Sequence, residues 1–188
     1  MGSKKKAQDT AKLKAFLGDG MAFFRTLSAE SDRGMVLVGA AFLDAGLEAL
    51  LRARLVDAPD EVGRLTDLDG PLSSFGSRIR LAFCLGLISR EERDDLDLAR
   101  KIRNNFAHTF EGRTFEEVPG IVDIVKELRV YRGFGEDLGL NYWEKTSSKA
   151  KFMMTISLLA VQLKNRCRET DHLSERPPGK WRRLGKST

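Results

Sequence analysis

The chain has few of the residues that build covalent or metal-held frameworks. Only two of its 188 residues are cysteine and two are histidine. Cys84 and Cys167 are too few and too far apart for a disulfide scaffold or a zinc site. Both lie in apolar helical stretches and read as core thiols. Such cysteine usage fits a reducing compartment, and the expected location is the cytoplasm. The lysine-rich start is followed by no apolar run, so no signal peptide is expected. The longest apolar run, Met35–Leu43, is far shorter than the roughly 20 residues needed to cross a bilayer, so no membrane partner is expected. No strand-period alternation persists, and there is no internal repeat, low-complexity block or glycine-rich phosphate loop. Neither a cofactor nor a bound metal is implied.

What the chain does have is charge at its ends. Lys+Arg number 32 against 27 Asp+Glu, for a net charge of +5. The excess lies in Lys4, Lys5, Lys6, Lys12 and Lys14 and again beyond Lys164. Basic ends suit a polyanion such as RNA, and equally serve as solubilising termini. In the last stretch, Trp181 can stack on a base while Lys180, Arg182 and Arg183 meet phosphates. Residues 1–9 are expected to be a disordered basic segment, 10–170 a single domain and 171–188 a flexible basic tail.

Apolar residues recur at helical spacing throughout 10–170. Expected helices run from about Thr10 to Leu27, Arg33 to Val56, Phe75 to Leu87, Arg90 to Phe110, Pro119 to Tyr131 and Ser148 to Arg168. Ser31-Asp32, Ser73 or Ser74, Ser89 and Ser147 or Ser148 offer N-caps. Ser89-Arg90-Glu91-Glu92 fits a capping box. The run Met35–Leu43 is apolar nearly all round, which predicts a centrally buried helix. A short helical turn can fall between Asp57 and Ser74, and Gly133–Trp143 reads as irregular. The fold class is all-α, a bundle of about five or six helices.

The helix that opens at Ser89 ends in Arg103-Asn104-Asn105-Phe106-Ala107-His108. Histidine titrates near neutrality and can move a proton, and arginine can hold a phosphate with two parallel hydrogen bonds. RNA carries its own nucleophile, the 2′-hydroxyl, so these groups suffice for cleavage without a metal. His108 would then be the acid–base residue, Arg103 the phosphate ligand and Asn104 an assistant. On a straight helix Arg103 and His108 point about 140° apart, so they need a second subunit or a distorted helix end to act together. The alternative is a helix end that carries cations to complement its dipole. Asp32, Asp44 and Glu48 lack the further ligands of a cation site. Asp44 and Glu48 are expected to pair with Arg33, Arg52 or another helix's arginine such as Arg78, or else to orient Arg103 or His108 across the bundle. A helix-turn-helix that uses Arg90 onward as reader is disfavoured, because Glu91, Glu92, Asp94 and Asp95 would face phosphates.

RNNFAH resembles the R-x4-6-H motif of HEPN domains, small all-α modules that are often homodimeric. Many of them are metal-independent ribonucleases. That resemblance implies an HEPN-like homodimer with an RNA-cleaving or RNA-binding site at Arg103, Asn104 and His108. A broader resemblance covers about Leu27 to Leu163. Its blocks are Ser31-Asp32-Arg33-Gly34, Leu43-Asp44, Leu47-Glu48-Ala49-Leu50-Leu51, Gly70-Pro71-Leu72-Ser73-Ser74-Phe75 with Arg78, Leu85-Gly86-Leu87-Ile88 and Arg100–His108. In this order they resemble the mannitol operon repressor family. That likeness implies transcriptional regulation, with a regulatory protein as partner.

Overall fold

Serine hydroxyls set four of the helix starts among the described residues. The computed structural model describes residues 22–108, 114–137 and 143–177. Residues 22–28 are helical (α1). Ser31 accepts the Gly34 N–H and opens α2, Asp32–Arg54. Ser74 accepts the Ser77 N–H and opens α4, Phe75–Cys84. Ser147 opens α8, Ser148–Glu169. The capping box forms at α5, Arg90–Ala107: Ser89 accepts the Glu92 N–H, and the Glu92 carboxylate accepts the Ser89 N–H. Each cap satisfies a donor that the first helical turn would leave open. Helix α4 stops at Gly86, whose φ of 69° suits glycine. There the Leu87 N–H reaches the Ala82 carbonyl and the Gly86 N–H reaches Phe83, so the last carbonyls are satisfied.

Three shorter helices complete the described chain: α3 (Pro59–Thr66), α6 (Ile121–Lys126) and α7 (Val130–Asp137), with a 3-10 turn at Trp143–Lys145. The all-α class stands, with eight helices among the described residues rather than five or six. The expected single helix from Pro119 to Tyr131 is two. Gly120 is left-handed, so α6 begins only at Ile121. The chain then breaks before α7 because Asp95 accepts the N–H groups of Arg129 and Val130 at 2.8–3.0 Å. Gly133 and Gly135 lie inside α7, not in an irregular segment.

Helix α2 is the hub and packs on α8, α5 and α4. Its inner stripe, with Met35, Val36, Leu43, Leu47 and Leu50, is fully buried. Gly39 and Gly46 bring α8 close. A Cβ at Gly39 would stand 3.1 Å from Ile156, and one at Gly46 would stand 3.4 Å from Leu163. The expectation of burial all round fails on the outer side, where Val38 and Phe42 are 40% and 47% exposed. By length and composition α2 could cross a membrane. It carries Asp44 and Glu48, however, and both reach Arg78 on α4 at 2.7 Å. The remaining core is aromatic where α5 and α8 meet the 114–118 loop, with Phe115 between Phe106 and Phe152. Trp143 is a core plug beneath Lys151. Cys84 is exposed rather than a core thiol, because it sits on the solvent side of the last turn of α4.

The chain after α8 returns to the end of α2. The Leu173 N–H donates to the Arg54 carbonyl at 2.8 Å, and Arg54 reaches the Asp171 carbonyl. Residues 171–177 thus begin the tail from a fixed place. The expected disordered start at 1–9 lies outside the described residues.

Two stability measurements follow from these contacts. Arg78 is buried between two carboxylates, so Arg78→Ala should cost about 3 kcal/mol in urea unfolding. A loss below about 1 kcal/mol would show that water can replace the pairs. Asp95 is fully buried, and this desolvation pushes its carboxyl from 3.8 to about 6. The Val130 and Arg129 N–H groups and the Arg129 charge oppose the shift, and Asp94 adds to it. The folded chain therefore holds this proton more tightly than the unfolded chain. The resulting stability is present at acid pH and is lost as pH rises from about 4 through about 6, by up to about 3 kcal/mol. Asp95→Asn should flatten that part of a stability-against-pH curve, and an unchanged slope would refute the assignment.

Candidate functional site

The C-terminal turns of α5 carry Arg103, Asn104 and His108. Ile102 and Phe106 anchor them by pointing into the core. Arg103 is exposed and donates to the Asn104 side-chain oxygen at 3.0 Å. His108 is the exposed C-cap of the helix, and its N–H donates to the Asn104 carbonyl at 3.2 Å. The helix keeps regular geometry through Ala107, so no distortion swings His108 toward Arg103. Within one chain the two side chains keep the wide angular separation of five helical residues.

Arg103 and Asn104 instead face a cleft of about 730 Å³ between α2, α4 and α5. Its floor is apolar: Leu37, Ala40 and Ala41 of α2. One wall is the start of α4, with Ser73, Ser74 and Gly76, and then Arg80 one turn further on. The other wall is Arg100, Arg103 and Asn104. His108 is not among the lining residues. The spacing of Arg100, Arg103 and Asn104, at i, i+3 and i+4, places all three on one helix face. That signal was present in the sequence for Arg100. The convergence of Arg80 on the same space has no local sequence signal, since α4 and α5 meet only on folding.

The carboxylates expected to support the site do other work. Asp44 lines the cleft but is held by Arg78 at 2.7 Å. Glu48 is bound by Arg78 and by Arg52 at 2.9 Å, and Arg52 also donates to the Thr66 hydroxyl. Arg78 further donates to the Thr66 carbonyl. This network ties α2, α3 and α4 together. Among the described residues these carboxylates meet Arg78 and Arg52, as one expected pairing had it, and not Arg103 or His108. Asp32 lies about three turns away on α2. It accepts the Phe115 N–H at 3.1 Å and pairs with Lys149 at 2.7 Å, so it fastens the 114–118 loop and α8 to the start of α2. Arg33 is half-buried beside it. Asp32, Asp44 and Glu48 therefore do not converge on one point. Lys180, Trp181, Arg182 and Arg183 lie outside the described residues.

The cleft's charge balance is positive. Arg100 pairs with Asp97 at 3.2 Å, both about one-third exposed. Among the described residues Arg80 has no ion pair.

No protein-family model matches the chain, and no curated protein matches it. Among solved structures it is similar to a chain of the X-ray structure of the MtlR–HPr complex from Escherichia coli. The identity is 17% and the TM-score 0.59, over 78% of this chain and 98% of that one. At this distance the likeness shows a shared, MtlR-like all-α fold.

Proposed function

We propose that this chain is a non-enzymatic transcriptional regulator of the mannitol operon repressor kind, acting by holding a partner protein on the outer face of α2. The observation that carries this reading is the exposed apolar side of an otherwise core helix. Val38 and Phe42 stand open there, Phe23 of α1 packs on the Phe42 ring at 4.3 Å, and an arginine-lined cleft lies alongside. Aromatic anchors bordered by arginines are the composition of protein-contact hot spots. The similar solved structure is itself a complex with HPr, which supports a partner of that kind. The test is calorimetry with HPr from the organism that carries this chain. Wild-type protein should bind, and Phe42→Asp should weaken binding by about thirtyfold or more while leaving the melting temperature within a few degrees. No binding by the wild type, or equal binding by the variant, would reject this partner and this face.

A second reading keeps one observation in its favour: Arg103 and His108 are both exposed at the end of one helix, uncommitted to the core. A homodimer with two such helix ends across a two-fold axis would form the composite HEPN-like ribonuclease site that a single chain lacks. The protein should then cut RNA in EDTA, and His108→Ala should abolish cleavage with no loss of thermal stability. Cleavage that persists in His108→Ala, or none in the wild type, would remove this reading.

A further inference from the structure

We propose that the cleft between α2, α4 and α5 binds a small organic phosphate, a phosphate monoester with a compact apolar or planar body. This is a ligand site in its own right and does not depend on any docked partner.

The charge of the cleft favours an anion. Arg80, Arg100 and Arg103 reach the cleft from two helices. The one lining carboxylate, Asp44, is already neutralised by Arg78. The Arg100–Asp97 pair is long at 3.2 Å and partly exposed, so it is a weak competitor for Arg100. Guanidinium forks match the oxygens of a phosphate, and three of them suit a dianion better than a single carboxylate.

The start of α4, a helix of 10 residues, adds to this. Ser74 spends its hydroxyl on the Ser77 N–H. The Phe75 and Gly76 N–H groups precede the first residue that can bond within the helix, and they add to the positive end of its dipole. Arg100 lies across this turn: a Cβ on Gly76 would stand 3.6 Å from Arg100 Nε. Arg100 and the helix start therefore border the cleft side by side. The Ser73 hydroxyl borders it.

The shape of the cleft favours an ester over a bare anion. At about 730 Å³ the cleft has the volume of a small-molecule site and is far larger than a bare phosphate requires. The floor of Leu37, Ala40 and Ala41 offers no polar partner, so it suits the body of the ester rather than its head. A nucleic-acid strand fits less well. Beyond Arg100, α5 runs into Asp97 and Asp94, already paired with Arg100 and Arg93, and then Glu91, none of which can receive successive phosphates.

The test uses three probes at constant ionic strength: phenyl phosphate, glycerol phosphate and inorganic phosphate, by calorimetry on the full chain. Phenyl phosphate is expected to bind most tightly. Arg80→Gln, Arg100→Gln and Arg103→Gln should each weaken it about tenfold or more. Ala41→Phe, which fills the exposed edge of the floor, should reduce phenyl phosphate binding and leave inorganic phosphate unchanged. Unliganded melting temperatures control for folding. The proposal falls if no probe binds, if inorganic phosphate binds as tightly as both esters, or if binding survives the arginine substitutions. HPr binding by wild type with no phosphate binding would overturn this site and leave the proposed function standing. The opposite pair of results would do the reverse.

Discussion

The close approach of α2 to α8 is the constraint on which the rest of the bundle depends. Two glycines on one face of α2 let Ile156 and Leu163 press against its backbone. Once that seam is closed, Leu43, Leu47 and Leu50 are buried, and α4 and α5 have one side of α2 left to cover. Three neighbours cannot surround a helix about 10 Å across, so a strip of it stays open. The open strip is apolar because it belongs to the same uninterrupted stretch that makes the core. Exposure of Val38 and Phe42 is thus a by-product of packing geometry that leaves a surface suited to contact.

The ion-pair network on the other side of α2 serves a different end. A helix with Asp44 and Glu48 facing its neighbours needs cations at fixed positions. Arg78 supplies them from α4, and Arg52 from α2 itself. With Arg78 turned inward, Arg80 lies two residues on and turns outward over the cleft. Arrangement of the basic wall therefore follows from neutralising the acidic residues of the hub. Glu92 repeats the pattern at the start of α5, where it closes the capping box and also receives Arg166 of α8 at 2.7 Å.

The sequence made local chemistry legible and tertiary convergence illegible. Ser31, Ser74, Ser89 and Ser147 could be read as caps because a cap and its target lie within three residues. The inward stripe of α5 was readable from its period. The gap between α6 and α7 was not, because Asp95 enforces it from 34 residues upstream in the chain. The open side of α2 was hidden for another reason: an all-apolar stretch has no polar face to mark its outside. Part of the candidate site was visible in Arg103 and Asn104. Arg80 and Ser73 join them only through the packing of α4 on α5, and the wide angle between Arg103 and His108 survives in the folded helix.

The two faces of α2 also differ in how freely they can change. On the inner face a Cβ at 39 would crowd Ile156 at 3.1 Å and one at 46 would already touch Leu163 at 3.4 Å, so that face leaves little room for larger side chains. On the outer face Val38, Ala41, Phe42 and Ala45 are exposed; Phe42 packs against Phe23 of α1 and Ala41 borders the cleft. Substitution there leaves the bundle intact and alters only what can sit upon it. Descendants of one such domain can therefore drift apart in partner choice while remaining superimposable in backbone.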